Sequence, residues 1–188
     1  MTDLHLAQMK NLIDVSSSDS IPPELKGGPV GFLLEYHNLH RPLDEYEEAQ
    51  LLIGMCIDHR LQLRMPERFA YIIRNGGANL RNSEFEISYA IAVGGVRAMA
   101  LIGHTDCGMV NLMARRKPFV QGLVEQVGWA REWAEAHFKQ LAPMSEIGDE
   151  VDFVVSEARR LRLRYSKIPV TPLLHRVEDN RLYMIRDS

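Results

Sequence analysis

The sequence predicts an α/β fold: a mostly parallel central β-sheet flanked by helices, with an N-terminal helical arm. Three observations predict it. Near-continuous apolar runs recur at residues 51–57, 69–73 and 96–102, the pattern of strands buried on both faces. Amphipathic stretches at helical spacing alternate with these runs, as βαβ units require. Glycine, proline and serine cluster between the periodic segments. At 188 residues, 46% hydrophobic and 25% charged, the chain has the size and composition of a single globular domain, 1–188, that can bury a full core.

Taken in order, residues 3–14 place Leu4, Leu6, Met9, Leu12 and Ile13 close to helical spacing, an arm that ends at Ser16-Ser17-Ser18. Residues 18–29 read as a loop, and segment 1–30 as an arm and loop that pack on a partner subunit. Residues 42–50 read as a short acidic helix with Pro42 near its start. After the strands at 51–57 and 69–73, residues 83–93 form a helix with Ser83 and Glu86 as a capping box. Gly94-Gly95 ends it. The strand at 96–102 leads through Gly103 into the turn that carries His104. Residues 107–141 read as mostly helical, interrupted near Pro118, with Trp129 and Trp133 on a packing face. Residues 149–164 are a further amphipathic helix, and 168–175 and 181–185 are strands joined at Glu178-Asp179-Asn180.

A net charge of -3 gives no reason to expect nucleic acid or an acidic membrane as partner. Arg159, Arg160, Arg162 and Arg164 therefore read as a solvated helix face or a subunit contact. The first residues lack the pattern of a secretory signal, and no apolar run approaches the ~20 residues of a membrane span. Two cysteines without an export signal point to a reducing compartment, the cytoplasm.

The chemistry concentrates in Cys56-Ile57-Asp58-His59-Arg60 and His104-Thr105-Asp106-Cys107-Gly108, which hold both cysteines of the chain. Each stretch follows an apolar strand, so both land at the carboxyl edge of the sheet, where ligands bind in such folds. Two Cys and one His supply three ligands to a tetrahedral zinc and leave the fourth position open, as in a catalytic site. Two buried thiols or a redox pair are the other readings; no Cys-x-x-Cys supports the latter. If the chain stays extended to residue 60, Cys56, Asp58 and Arg60 share one side and His59 points away. Asp58 can then orient a hydroxide on the metal, with Arg60 holding it ionised, or can itself bind the metal and displace water. Asp106 either caps the next helix or backs a ligand. His37 and His40 read as surface histidines, with proton shuttling as the alternative.

Cys-x-Asp-x-Arg, then Arg74-Asn75-Gly76-Gly77, then His104-x-x-Cys107-Gly108, in this order, resembles the β-class carbonic anhydrases. The resemblance runs from about residue 51 to 109. It implies a parallel sheet, a homodimer or larger homo-oligomer, and hydration of CO2 to bicarbonate at Zn²⁺. It makes Cys56, His104 and Cys107 the zinc ligands and Asp58 and Arg60 the catalytic dyad. Family members complete the pocket with a Gln and aromatic residues of the neighbouring subunit, which have no residue-by-residue match here. Members with a bicarbonate-locked state carry Trp three positions before the first ligand; Ile53 stands there, which implies the open form. Hydrolases of carbonyl sulfide or carbon disulfide resemble the same family and share its ligands. A non-catalytic zinc dimer that binds an anion or a protein is the alternative outside enzymes.

Overall fold

The apolar runs become the middle of one sheet. A computed structural model describes residues 12–186. Its elements are β1 (Leu12–Asp14), α1 (Pro29–Asn38), β2 (Leu51–Met55), β3 (Ala70–Arg74), α2 (Glu84–Ala92), β4 (Ala98–His104), α3 (Arg116–Gly122), α4 (Arg131–Ser145), α5 (Glu150–Arg164), β5 (Val170–Arg176) and β6 (Arg181–Ile185). The six strands lie in the order β1-β6-β5-β4-β2-β3. The β3, β2, β4 and β5 strands are parallel, and β6 and β1 add to them antiparallel.

Every residue of β2 and β4 is buried, because each strand is covered on both faces. Leu51, Ile53 and Met55 pack with Ala100 and Ile102 in the layer that holds Leu33, Leu34 and Tyr36 of α1. Leu52, Met99 and Leu101 belong to the opposite layer, with Ile87 of α2 and Val154, Ala158 and Leu161 of α5. Gly54 lets that second layer close, since a Cβ there would lie 2.6 Å from Leu80 and 2.8 Å from Leu101. Asp149 caps α5, its Oδ1 accepting the N–H groups of Val151 and Asp152, each at 2.9 Å.

The structure departs from the sequence reading at several elements. Of the arm expected over residues 3–14, Leu12–Asp14 is an edge strand paired to β6, not a helix, and the remainder lies outside the described residues. Residues 42–50 are not helical. Tyr46 packs edge-on against Phe69, and Asp44 bonds the Tyr36 hydroxyl and Arg41, contacts that hold the segment irregular. The helix of this region is α1, with Pro29 in its first turn. The β3 strand is not buried on both faces: it is the sheet edge, and Tyr71 and Ile72 are exposed. Ser83 precedes α2 but its side chain caps nothing, because its Oγ accepts a hydrogen bond from Asn75 Nδ2 at 2.8 Å. The break after residue 107 falls at Gly128, in left-handed φ, whereas Pro118 sits in the first turn of α3. Trp133 lies on the exposed side of α4. Among the described residues no helix is long and apolar enough to cross a membrane.

Candidate metal centre

The carboxyl ends of β2 and β4 are neighbours, with Met55 in register with Ile102. Cys56 follows β2 directly and His104 is the last residue of β4. A turn with Asp106 at φ 56° brings Cys107 back beside them. The two sulfurs are 4.0 Å apart, and one donor atom from each of Cys56, His104 and Cys107 lies within 4.8 Å of the others. All three residues are buried, at 2%, 1% and 5% exposure.

Each donor has a partner that directs it. The His104 Nδ1 atom lies 2.9 Å from the Thr105 carbonyl, which can only accept, so Nδ1 carries the proton. That leaves a bare lone pair on Nε2, which is buried with no hydrogen-bond partner among the described residues. The Gly77 N–H donates to Cys56 Sγ at 3.3 Å. The Cys107 N–H donates to Glu150 Oε1 at 3.2 Å, which fixes the turn against the start of α5. The Cys56 thiol is pulled down towards thiolate by the hydrogen bond from Cys107, and the Cys107 thiol is pushed up by the same contact and by burial.

These residues suit a metal. Sulfurs bound tetrahedrally at 2.3 Å from zinc would sit roughly 3.8 Å apart, close to the separation seen. An orphaned imidazole nitrogen in a buried site is costly unless something occupies it, and two thiolates with one neutral imidazole are a donor set that zinc favours.

Asp58 is not among the three clustered donors. Its Oδ1 accepts from Arg60 Nε at 3.0 Å and from the Arg60 N–H at 2.9 Å, and its Oδ2 accepts from Arg60 Nη2 at 2.8 Å. The guanidinium holds the carboxyl well below the usual carboxylate range, although burial pushes the other way. The pairing does not arise from an extended chain, as the alternation predicted. The strand ends at Met55, and residues 58–61 turn, with the Leu61 N–H donating to the Asp58 carbonyl at 3.2 Å. Aspartate favours this turn because its side chain reaches the N–H two residues on. Arg74 straps the loop from below, donating to the carbonyls of Cys56, Asp58 and Leu61.

His59 points to solvent, away from Cys56 as expected, although a turn and not strand alternation places it there. His37 is buried and not a surface residue: its Nδ1 accepts from the Arg64 N–H and its Nε2 donates to the Asn180 carbonyl. Its ring lies 5.7 Å from that of His175, which is in register with His104 on the next strand. His40 is exposed. Asp106 neither caps a helix nor backs a ligand; it pairs with Arg60 at 2.9 Å. Sequence reasoning missed Glu150 and the Gly77 amide. Gly77 was already part of the Arg74-Asn75-Gly76-Gly77 resemblance, and its left-handed φ of 64° explains the glycine, but nothing in the sequence pointed to its N–H.

A family model described as carbonic anhydrase matches residues 52–182, more than half of the chain. Among curated proteins nothing matches. Of solved structures, a carbonic anhydrase from Glaciozyma antarctica is 25% identical with a TM-score of 0.59, covering 75% of this chain and 85% of that one. The β-carbonic anhydrase isoform I of Trichomonas vaginalis superposes over 100% of both chains at 18% identity and a TM-score of 0.62. The apo form of a carbon disulfide hydrolase matches at 18% identity and a TM-score of 0.55, over 75% of this chain and 80% of that one. The last two likenesses speak for the fold.

Proposed function

This chain belongs to the carbonic anhydrase family, and we propose that it catalyses the reversible hydration of CO2 to bicarbonate at a zinc ion held by Cys56, His104 and Cys107. The observation that carries the proposal is the convergence of the three donors around the unpartnered His104 Nε2 while Asp58 is held aside by Arg60. Bound there, zinc would supply the Lewis acidity that makes water a nucleophile near neutral pH.

The chain's own residues do the rest. Gly77 and Glu150 hold the segments that carry Cys56 and Cys107, so the donor set is organised in advance. Asp58 stays ionised because Arg60 neutralises it. Its Oδ2 takes only one of Arg60's hydrogen bonds and keeps a lone pair to accept a hydrogen bond from the attacking oxygen. That acceptor turns the oxygen's remaining lone pair towards the carbon of CO2. Proton loss to buffer then resets the site.

The test is stopped-flow CO2 hydration from pH 6.5 to 9 on protein of known zinc content, with carbonyl sulfide and carbon disulfide run beside it. Turnover of CO2 that scales with zinc supports the reading, and full zinc with no CO2 turnover sinks it. The fold likeness to the carbon disulfide hydrolase makes turnover of these sulfur substrates the second reading. Silence on all three would leave a non-catalytic zinc protein.

We also read the chain as a homo-oligomer formed at the β3 edge. Among the described residues the strand ends the sheet with unpaired backbone groups, and neither lysine nor proline stands in it. Beside it Tyr71, Ile72, Phe85 and Tyr89 line an apolar groove of ≈ 410 Å³. A second copy of the same edge satisfies both the backbone and the groove.

A further inference from the structure

Arg60 does more than hold Asp58. Its guanidinium faces two carboxylates at once: Nε and Nη2 donate to Asp58, and Nη1 donates to Asp106 Oδ2 at 2.9 Å. Nη2 also donates to the Asp106 carbonyl at 3.0 Å. Asp106 belongs to the turn that carries His104 and Cys107, whereas Arg60 belongs to the loop that carries Cys56 and Asp58. The pair therefore joins the two segments that hold the metal donors. An exposed ion pair by itself contributes little, and the Asp106 side chain is 75% exposed. Its position gives it another use. A guanidinium is a rigid planar fork, and with Asp58 on one edge its remaining freedom is to pivot about that contact. The second carboxylate removes that freedom.

We propose that Asp106 is a positioning residue for the reaction: it clamps the Arg60 guanidinium so that Asp58 is kept in the orientation in which it accepts from the nucleophile and stays off the metal. The proposal rests on the reading of Asp58 and Arg60 as the catalytic dyad.

Asp106 sits at φ 56°, a conformation that glycine and asparagine adopt with little strain, so two substitutions separate the clamp from the turn. Asp106→Gly preserves the turn and removes the acceptor. Asp106→Asn preserves the turn and, through its amide oxygen, an acceptor for Nη1. Solvent exchange of the Arg60 Nε–H, followed by NMR on the zinc-loaded protein, reads the clamp without turnover. Asp106→Gly is expected to speed that exchange and to lower kcat about fivefold with KM little changed, the scale of one exposed ion pair. Asp106→Asn is expected to recover most of both.

Unchanged Arg60 exchange in Asp106→Gly overturns the clamp. Equal losses in the Gly and Asn variants also overturn it, because an acceptor would then not be what matters. Faster exchange with full turnover overturns its bearing on catalysis. If Asp58→Asn also retains full turnover in that case, the dyad reading itself is what has failed.

Discussion

A buried histidine with one nitrogen satisfied and the other bare is the residue-scale fact on which the site turns. It commits His104 to one tautomer before any ligand arrives. Asp58 is as firmly committed, with three hydrogen bonds from Arg60 alone. Asp58→Asn is nearly isosteric but loses the anionic acceptor. It should retain zinc at wild-type stoichiometry and lose about 100-fold or more in kcat, the range for a positioned proton acceptor. Zinc analysis beside stopped-flow hydration checks both halves, and loss of metal in the variant would count against a carboxylate that stands outside the donor set. His37 makes a prediction about stability. Burial holds its pKa near 4 in the folded chain, down from 6.5. As pH falls through 6.5 the unfolded chain takes up a proton that the folded chain refuses until about pH 4. Stability from this group is thus whole above pH 6.5 and is lost progressively towards pH 4. Urea midpoints at pH 7 and pH 5 should diverge less in His37→Gln than in the wild type.

Among elements, the short loop after β3 does the most for the site. Gly77 stands at φ 64°, and its N–H reaches Cys56 Sγ. A Cβ there would meet Ile147 at 2.9 Å as well as bearing the left-handed backbone. Gly77→Ala should therefore destabilise the fold by about 2–4 kcal/mol, from overpacking and backbone strain together. By shifting the loop and drawing its N–H away from Cys56 Sγ it should also weaken zinc binding roughly tenfold. Thermal unfolding and competitive chelation measure the two effects separately. Much of this level was legible. The fully buried strands β2 and β4 showed as unbroken apolar runs because both faces of each are covered. The α1 helix was missed although Val30, Leu33, Leu34 and His37 form its buried side. The proline and glycines just before it read as loop, whereas Gly28 and Pro29 begin the helix. β3 misled in the other direction, since Ala-Tyr-Ile-Ile reads alike at an edge and at a centre.

On the scale of the whole molecule, the sheet brings the two motifs together at one end. Among the described residues one edge of the sheet is the three-residue strand β1, and the other is β3 with its apolar groove. Ile72→Lys places a charge at the centre of that exposed edge, a common guard against strand pairing. It should shift the mass found by light scattering from oligomer to monomer while the far-UV circular dichroism spectrum stays unchanged. A monomeric wild type, or an oligomer indifferent to the substitution, would remove the β3 edge as the contact.

By itself the sequence pointed to the parallel core, to Cys56, His104 and Cys107 as one cluster, and to the Asp58-Arg60 pair. Apolar runs, turn residues and the order of a few reactive side chains are local signals, and both strand ends had to fall on one edge of a parallel sheet. Only the tertiary structure decided which nitrogen of His104 is free, that Gly77 and Glu150 brace the donors, and that Asp106 shares Arg60 with Asp58. Three of these four, the bracing contacts and the shared arginine, join residues far apart in the chain. The fourth turns on the local bend that sets the Thr105 carbonyl against the His104 ring. No periodicity encodes any of them; they exist once packing has brought the segments to hydrogen-bonding distance.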